Sequence, residues 1–316
     1  MTPLVSIVCL CYNHERFVEE AIQSVFNQTY KNIQLILVDD FSSDKSVAVI
    51  QKIIEQYSNV DFLPLKKNHG NCAAFNKGLE LVKGDFIIDF ATDDVMLPNR
   101  IENQVNFFLH QNENVGVVFT DSIYIDENGK MLLNHYEHLF KKKIIKNIPT
   151  GNVFRDVLTT YFISSPTMMV RKKVYDELNG YDESLAYEDF DFWIRASRNF
   201  RFQFLNEKTT LVRKLQGSLS TGLYQKGDKQ LYSTFLICQK AEKLCCDEGD
   251  RDALRVRMFY EFKHAALSGN KIEARLFAQQ LKSLKEIPFA FYVIQFLSFL
   301  PLPWAWLRRT YFRFNE

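Results

Sequence analysis

The sequence has no CxxC pair among its six cysteines, at positions 9, 11, 72, 238, 245 and 246. That excludes a disulfide framework and predicts a reducing compartment. Its start (Met1-Thr2-Pro3) carries no basic segment and no signal-like apolar stretch, so the catalytic part is expected to be cytoplasmic. There is no internal repeat and no low-complexity segment. The net charge is only +1, which argues against a general nucleic-acid binder. No Ser-His or Cys-His nucleophile pattern is recognisable. What is present is the composition of a soluble globular chain: 47% hydrophobic and 24% charged residues, which excludes disordered and fibrous classes. Aromatics reach 14%, with 28 Phe, enough to fill a sizeable core. A length of 316 residues predicts one large domain or two ordinary ones. The charge is uneven: residues 1–200 carry 20 Lys+Arg against 27 Asp+Glu (−7), and residues 201–316 carry 19 against 11 (+8). A basic second part suits an anionic surface such as the cytoplasmic leaflet, or a solvated helical face.

The first 120 residues alternate in type. Val5–Leu10, Ile33–Val38, Asn59–Leu65, Asp85–Phe90 and Val115–Thr120 read as strands. Between them, helices are predicted at about Glu15–Asn27, Asp44–Tyr57, Asn71–Val82 and Pro98–His110. Continuous apolar strands separated by such helices indicate βαβ units and a parallel sheet covered on both faces. Later, Tyr124–Gly129 reads as a strand entering a turn, Val153–Thr160 as a helix and Pro166–Val170 as a strand. From about Gln230 only helices are expected, such as Asp252–Leu267 and Lys271–Leu284. Residues 287–307 carry no charge, but Pro301 and Pro303 interrupt the run. An interfacial helix with aromatic anchors fits it better than a membrane span, and a buried C-terminal helix or dimer surface is the alternative.

In such sheets, ligands bind beyond the carboxyl ends of the strands. Those ends carry Tyr12-Asn13-His14, then Asp39-Asp40 with Asp44 placed to cap the next helix, then Asn68-His69-Gly70, then Thr92-Asp93-Asp94. Gly70 permits close backbone approach to a ligand. Asp93 and Asp94 are a candidate hard-cation site shared with substrate phosphates. Turn and capping chemistry accounts for any one of these alone; their convergence on one sheet edge is the stronger argument. His135 and His138 share a helical face, but no Cys or Asp cluster stands near them in sequence.

Taken together, the chain resembles a family 2 glycosyltransferase of GT-A fold. The matching text runs from Val5-Ser6-Ile7-Val8 and Tyr12-Asn13 through Ser24–Tyr30, Ile36–Asp44, Asn68-His69-Gly70 to Gly78, Lys83–Ile87, Thr92-Asp93-Asp94 and Leu97-Pro98. It continues in Gly180-Tyr181-Asp182-Glu183 and Tyr187–Arg195, so the resemblance covers roughly residues 3–220. It implies a Rossmann-like mixed sheet with helices on both faces, followed by a helical C-terminal segment. The transferase domain would span 1–222, with a nucleotide-sugar half (1–120) and an acceptor half (121–222), and 223–316 would form the helical region. The resemblance implies a nucleotide-sugar donor, of the UDP type, bound by Tyr12, Asn13, Asp39, Asn68, Gly70 and Asp93. It further implies Mn²⁺ or Mg²⁺ at Asp93 and Asp94, and Asp189 as the base of an inverting transfer. Glu188, Trp193 and Ser165 would stand on the side of a glycan or lipid-linked acceptor. The setting would be surface polysaccharide or lipopolysaccharide synthesis at the cytoplasmic face, with membrane contact through 287–307. Ala91 and Leu215 depart from the family pattern, in which many members carry Asp and His there. Those substitutions leave Arg213 or Lys214 as cations for the diphosphate. Two other readings are a non-catalytic scaffold of the same fold and a sugar-nucleotide pyrophosphorylase; the second lacks support, because Cys11–Arg16 contains no glycine.

Overall fold

A computed structural model describes residues 2–57, 59–215, 224–284 and 289–298. The chain divides into two compact units. The first comprises Met1–Val153, Phe162–Phe192 and Ala196–Leu215, and the second Phe154–Tyr161, Trp193–Arg195 and Gln216–Glu316.

In the first unit, β1 (Val5–Cys11) is buried along its whole length, as a continuous apolar run requires. It pairs in parallel with β2 (Ile33–Asp39) and β4 (Phe86–Ala91), and β3 (Val60–Pro64) pairs with β2. Beyond β4 the sheet becomes mixed. β8 (Met169–Arg171) runs antiparallel to both β4 and β6 (Val115–Ile125). β9 (Arg201–Arg213) lies parallel to β6, while β5 (Val95–Met96) and β7 (Met131–Asn134) are antiparallel additions to β9 and β6. Helices α1 (Val18–Phe26), α2 (Ser46–Ile54) and α4 (Arg100–Leu109) cover one face, where Val18, Ile22, Ile50, Ile101 and Phe108 join Ile7, Leu35 and Ile88 in one core. Helix α3 (Asn71–Leu79) covers the other, with Gly78 so close that a Cβ there would lie 2.5 Å from Val8 Cγ1. The unit also holds α5 (His135–Lys141), α7 (Lys172–Leu178) and the start of α8 (Asp189–Asn199).

The mixed sheet with helices on both faces agrees with the sequence expectation, and two local differences have clear causes. The strand predicted at Pro166–Val170 is a 3-10 turn, Ser165–Thr167, followed by the short β8. Pro166 has no N–H to give a ladder, and the Thr167 and Met168 amides turn back to the Ser164 and Ser165 carbonyls. Helix α1 starts at Val18 and not at Glu15, because Phe17 and Val18 both donate to the His14 carbonyl in a preceding turn.

In the second unit, α6 (Phe154–Thr159) accompanies α9 (Lys229–Leu244), α10 (Glu248–Ser268), α11 (Lys271–Ser283) and α12 (Phe289–Ser298). The Asp247 side chain accepts the Asp250 amide at 3.0 Å, which starts α10 four residues before the predicted Asp252. Arg257 is buried; its guanidinium pairs with Glu261 at 3.0 Å and donates to the Leu158 carbonyl at 2.7 Å. No described helix is long and apolar enough to cross a membrane. Within 287–307, residues 287–288 and 299–307 lie outside the described residues.

Candidate active site

The loops after β1 and β2 are sewn together. The Asn13 amide donates to Ser42 Oγ (2.9 Å), and Asn13 Oδ1 accepts the Ser43 amide (2.8 Å). Asn13 sits at φ 58°, a left-handed conformation that asparagine tolerates. Ser42 in turn holds Asp39, giving its amide to Oδ2 at 2.9 Å and its hydroxyl to Oδ1 at 2.5 Å. Asp39 is buried, while Tyr12 in the first loop is exposed. Asp40 organises the third loop by accepting the His69 and Gly70 amides at 2.7 and 2.8 Å. Burial pushes the Asp40 carboxyl up, and those two amides oppose the rise. Asn68 donates to the Asp40 carbonyl at 3.2 Å. Gly70 has φ +83° with open space where a Cβ would stand, so its conformation and not crowding calls for glycine. Asp44 accepts the Ser46 amide at 2.9 Å from one residue ahead of the α2 N-cap, which is Lys45 and not the predicted Asp44.

At the end of β4, Asp93 Oδ2 lies 3.9 Å from His14 Nε2, and His14 Nδ1 meets Thr92 Oγ1 at 2.9 Å. Asp94 is buried and accepts the Arg213 amide at 2.8 Å. Burial first, and then neighbouring Asp93, hold the Asp94 carboxyl well above the usual carboxylate range. Both are hard oxygen donors. Among the described residues no three His, Cys, Asp or Glu side chains gather into a metal-holding group. The donor set therefore fits a divalent cation that takes the rest of its shell from phosphates and water.

Of the two cations left open by the sequence, Arg213 is consumed inside the protein. Its Nε donates to the Asp93 carbonyl (2.9 Å), Nη1 to the Asp126 and Glu127 carbonyls (3.3 Å each) and Nη2 to the Glu20 carboxylate (2.7 Å). Lys214 is exposed, with its Nζ 3.9 Å from the centre of the Tyr124 ring. Desolvation of its ammonium against the neighbouring protein lowers its pKa, and the fields of Asp94 and Asp93 oppose that.

Asp189 is the first residue of α8, and its Oδ2 accepts the Ser165 hydroxyl at 2.8 Å. Desolvation, and then the adjacent Glu188 carboxylate, push Asp189 up to about 8, against the Ser165 hydrogen bond. A third acid belongs to this group: Asp89 of β4, whose Oδ2 accepts the Tyr181 hydroxyl at 3.0 Å. Burial, then Glu188, raise it well above the ordinary range. The turn that presents Ser165 is braced from below. Gln104 donates to the Thr167 carbonyl (2.8 Å), Arg100 to the Met168 carbonyl (3.2 Å), and the Ser122 and Ser164 hydroxyls meet at 2.8 Å. Arg100 is fully buried; desolvation brings it down to about 9, and Asp94 is the first charge opposing that fall.

Trp193 is only 4% exposed, edge-on to Tyr161 at 5.9 Å. His135 is buried, bonded to the Tyr124 hydroxyl (2.7 Å) and the Phe162 carbonyl (2.9 Å) through its two ring nitrogens, which occupies it structurally. Sequence reasoning missed Phe41, an exposed ring at φ 65° directly after Asp40, and the Asp89 and Arg100 roles. Phe41 had a signal in its place within Asp39–Asp44. The other two roles depend on partners about 90 and 68 residues away.

The sequence profile of Glycosyl transferase family 2 matches residues 6–178. The uncharacterized glycosyltransferase MJ1057 of Methanocaldococcus jannaschii is 34% identical over 212 residues, covering 65% of this chain and 69% of that protein. Among solved structures, S. aureus TarS 1–349 in complex with UDP-GlcNAc superposes with a TM-score of 0.69 at 18% identity, covering 89% of this chain and 80% of that one. The mannosyltransferase PcManGT of Pyrobaculum calidifontis, in complex with GDP-Man and Mn²⁺, gives 0.60 at 14% identity, covering 98% and 79%.

Proposed function

The chain belongs to glycosyl transferase family 2, and from that membership we propose an inverting transfer of a sugar from a nucleoside diphosphate donor, of the UDP type, to an acceptor hydroxyl. Asp189 carries the reading: a desolvated carboxyl at a helix start, aligned by Ser165 and raised to about 8, has the proton affinity a general base needs. In the step itself the acceptor O–H proton passes to Asp189. The acceptor oxygen bonds to the anomeric carbon from the face opposite the nucleotide as the bond to the diphosphate breaks.

The nucleoside end belongs on Asp39 and the loop of Tyr12 and Asn13, and Asn68 and Gly70 line the neighbouring backbone. Asp93 and Asp94 would hold Mn²⁺ or Mg²⁺; the chemistry such an ion supplies when bound is neutralisation of the departing diphosphate. Lys214 supplies a further positive charge beside them, in the place the family commonly gives to the histidine missing at Leu215. Glu188 and Ser165 face the acceptor, a hydroxyl of a glycan or lipid-linked sugar in surface polysaccharide or lipopolysaccharide synthesis. The protein would work at the cytoplasmic face, peripheral to the membrane. The GDP-Man held by PcManGT makes the base a question for experiment.

The test is donor hydrolysis by the purified chain across UDP-, GDP-, CDP- and dTDP-sugars, with and without Mn²⁺, beside Asp189→Asn. Release of one nucleoside diphosphate, lost in the variant while donor binding by calorimetry persists, is the expected result. Turnover that survives Asp189→Asn would remove the base, and absence of any donor binding would remove the transferase.

A further inference from the structure

Helix α12 of the second unit is anchored through Phe291. Phe291 is fully buried, its ring centre 4.7 Å from that of Phe262 on α10, with Lys282 Nζ 5.9 Å away. The opposite side is open: Phe289 is 82% exposed, Tyr292 51%, Val293 41% and Phe296 67%. These positions are i, i+3, i+4 and i+7, a single stripe along the helix. The helix has no charged residue, and none occurs from 287 to 307. The flanks are basic: Lys282 and Lys285 precede it and Arg308, Arg309 and Arg313 follow, with Glu286 the one acid from 282 to 315.

That sign pattern chooses the occupant. A second copy would juxtapose two basic sequences, whereas an anionic bilayer complements both the apolar stripe and the basic residues that flank it in sequence. Ten residues make a helix about 15 Å long, half a hydrocarbon core, so the helix must lie along the surface and not across it. Tyr292 on the stripe, and Trp304 and Trp306 in the sequence beyond, are residue types that favour the headgroup level.

We propose that α12 rests on an anionic lipid surface with Phe289, Tyr292, Val293 and Phe296 among the headgroups and Phe291 retained in the protein. This surface is independent of the transfer chemistry. Flotation of the full chain with phosphatidylglycerol-containing vesicles tests it, beside pure phosphatidylcholine vesicles and the variant Phe289→Ser/Phe296→Ser. Both substituted rings are exposed, so the melting temperature should not change. The chain is expected to float with the anionic vesicles, less in high salt, and the variant to lose at least about tenfold in partitioning. Failure to float, or flotation that the double substitution leaves intact, overturns the proposal. So does a concentration-dependent dimer, seen by light scattering and abolished by the variant, which would assign the stripe to a second copy.

Discussion

At the scale of single residues, the Asp189 carboxyl, the proposed base, is governed by two neighbours of opposite effect. Ser165 donates to Asp189 and favours its ionised form, while Glu188 adds a like charge and disfavours it. Because only the carboxylate accepts the proton, kcat should rise with pH along a limb far above the ordinary carboxylate range. Ser165→Ala should move that limb to higher pH and Glu188→Gln to lower pH, each by about one unit. A pH profile in which both variants move the same way would detach the limb from Asp189. The two neighbouring cations separate just as sharply. Lys214→Ala removes an exposed charge and should weaken nucleoside diphosphate binding by about tenfold with the melting temperature unchanged. Arg213→Ala removes a buried guanidinium that donates to three carbonyls and the Glu20 carboxylate, and should cost about 2–4 kcal/mol of stability. Calorimetry and thermal unfolding of the two variants read these effects apart. Arg213 and Lys214 look alike in sequence; only the carbonyls gathered around Arg213 distinguish them.

Among the elements, a clamp joins α3 to the chain leading into α8. Asn76 Nδ2 donates to the Tyr181 carbonyl (2.9 Å) and the Glu183 carboxylate (3.0 Å), and its Oδ1 accepts the Tyr181 amide (2.9 Å). Gly180 makes room for this at φ +73°, where a Cβ would stand 2.5 Å from Asn76 Oδ1. Gly180→Ala therefore suffers both strain and collision and should lose about 1–3 kcal/mol in denaturant unfolding. Asn76→Ala should lose a similar amount, and should lower kcat more than donor affinity, because the clamp serves the base side of the site. Equal losses in both would place the clamp on the donor side. Both residues stood in recognisable sequence motifs, yet their contact, about 104 residues apart, did not. The same limit explains β9: its Asn206–Thr210 stretch is polar, and β6 partners it only at Lys208 and Thr210, where the parallel register shifts before running on through Arg213. Apolar runs such as β1 announce themselves; a strand made by its neighbour does not.

For the molecule as a whole, the parallel half of the sheet and the residues at its strand ends were legible because burial writes apolar runs and binding chemistry follows them. The acidic core of the site was not, since Asp89 reads as one more strand residue until Tyr181 and the Glu188–Asp189 pair converge on it. That convergence shapes global stability. Asp40, Asp89, Glu188 and Asp189 all have folded-state proton affinities above those of the unfolded chain, with desolvation the first cause in each. For an acid shifted this way the folded state binds more protons than the unfolded state between the two pKa values. Stability is thus fully present below the unfolded values near pH 4 and is lost as pH rises toward the folded ones. The melting temperature should therefore be lower at pH 8.5 than at pH 6. Asp89→Asn keeps an acceptor for the Tyr181 hydroxyl while removing the charge beside Glu188 and Asp189. It should raise the melting temperature at pH 8.5 by about 3 °C or more and change it little at pH 5. A variant with the parent's slope of melting temperature against pH would show that the three acids do not titrate as one group.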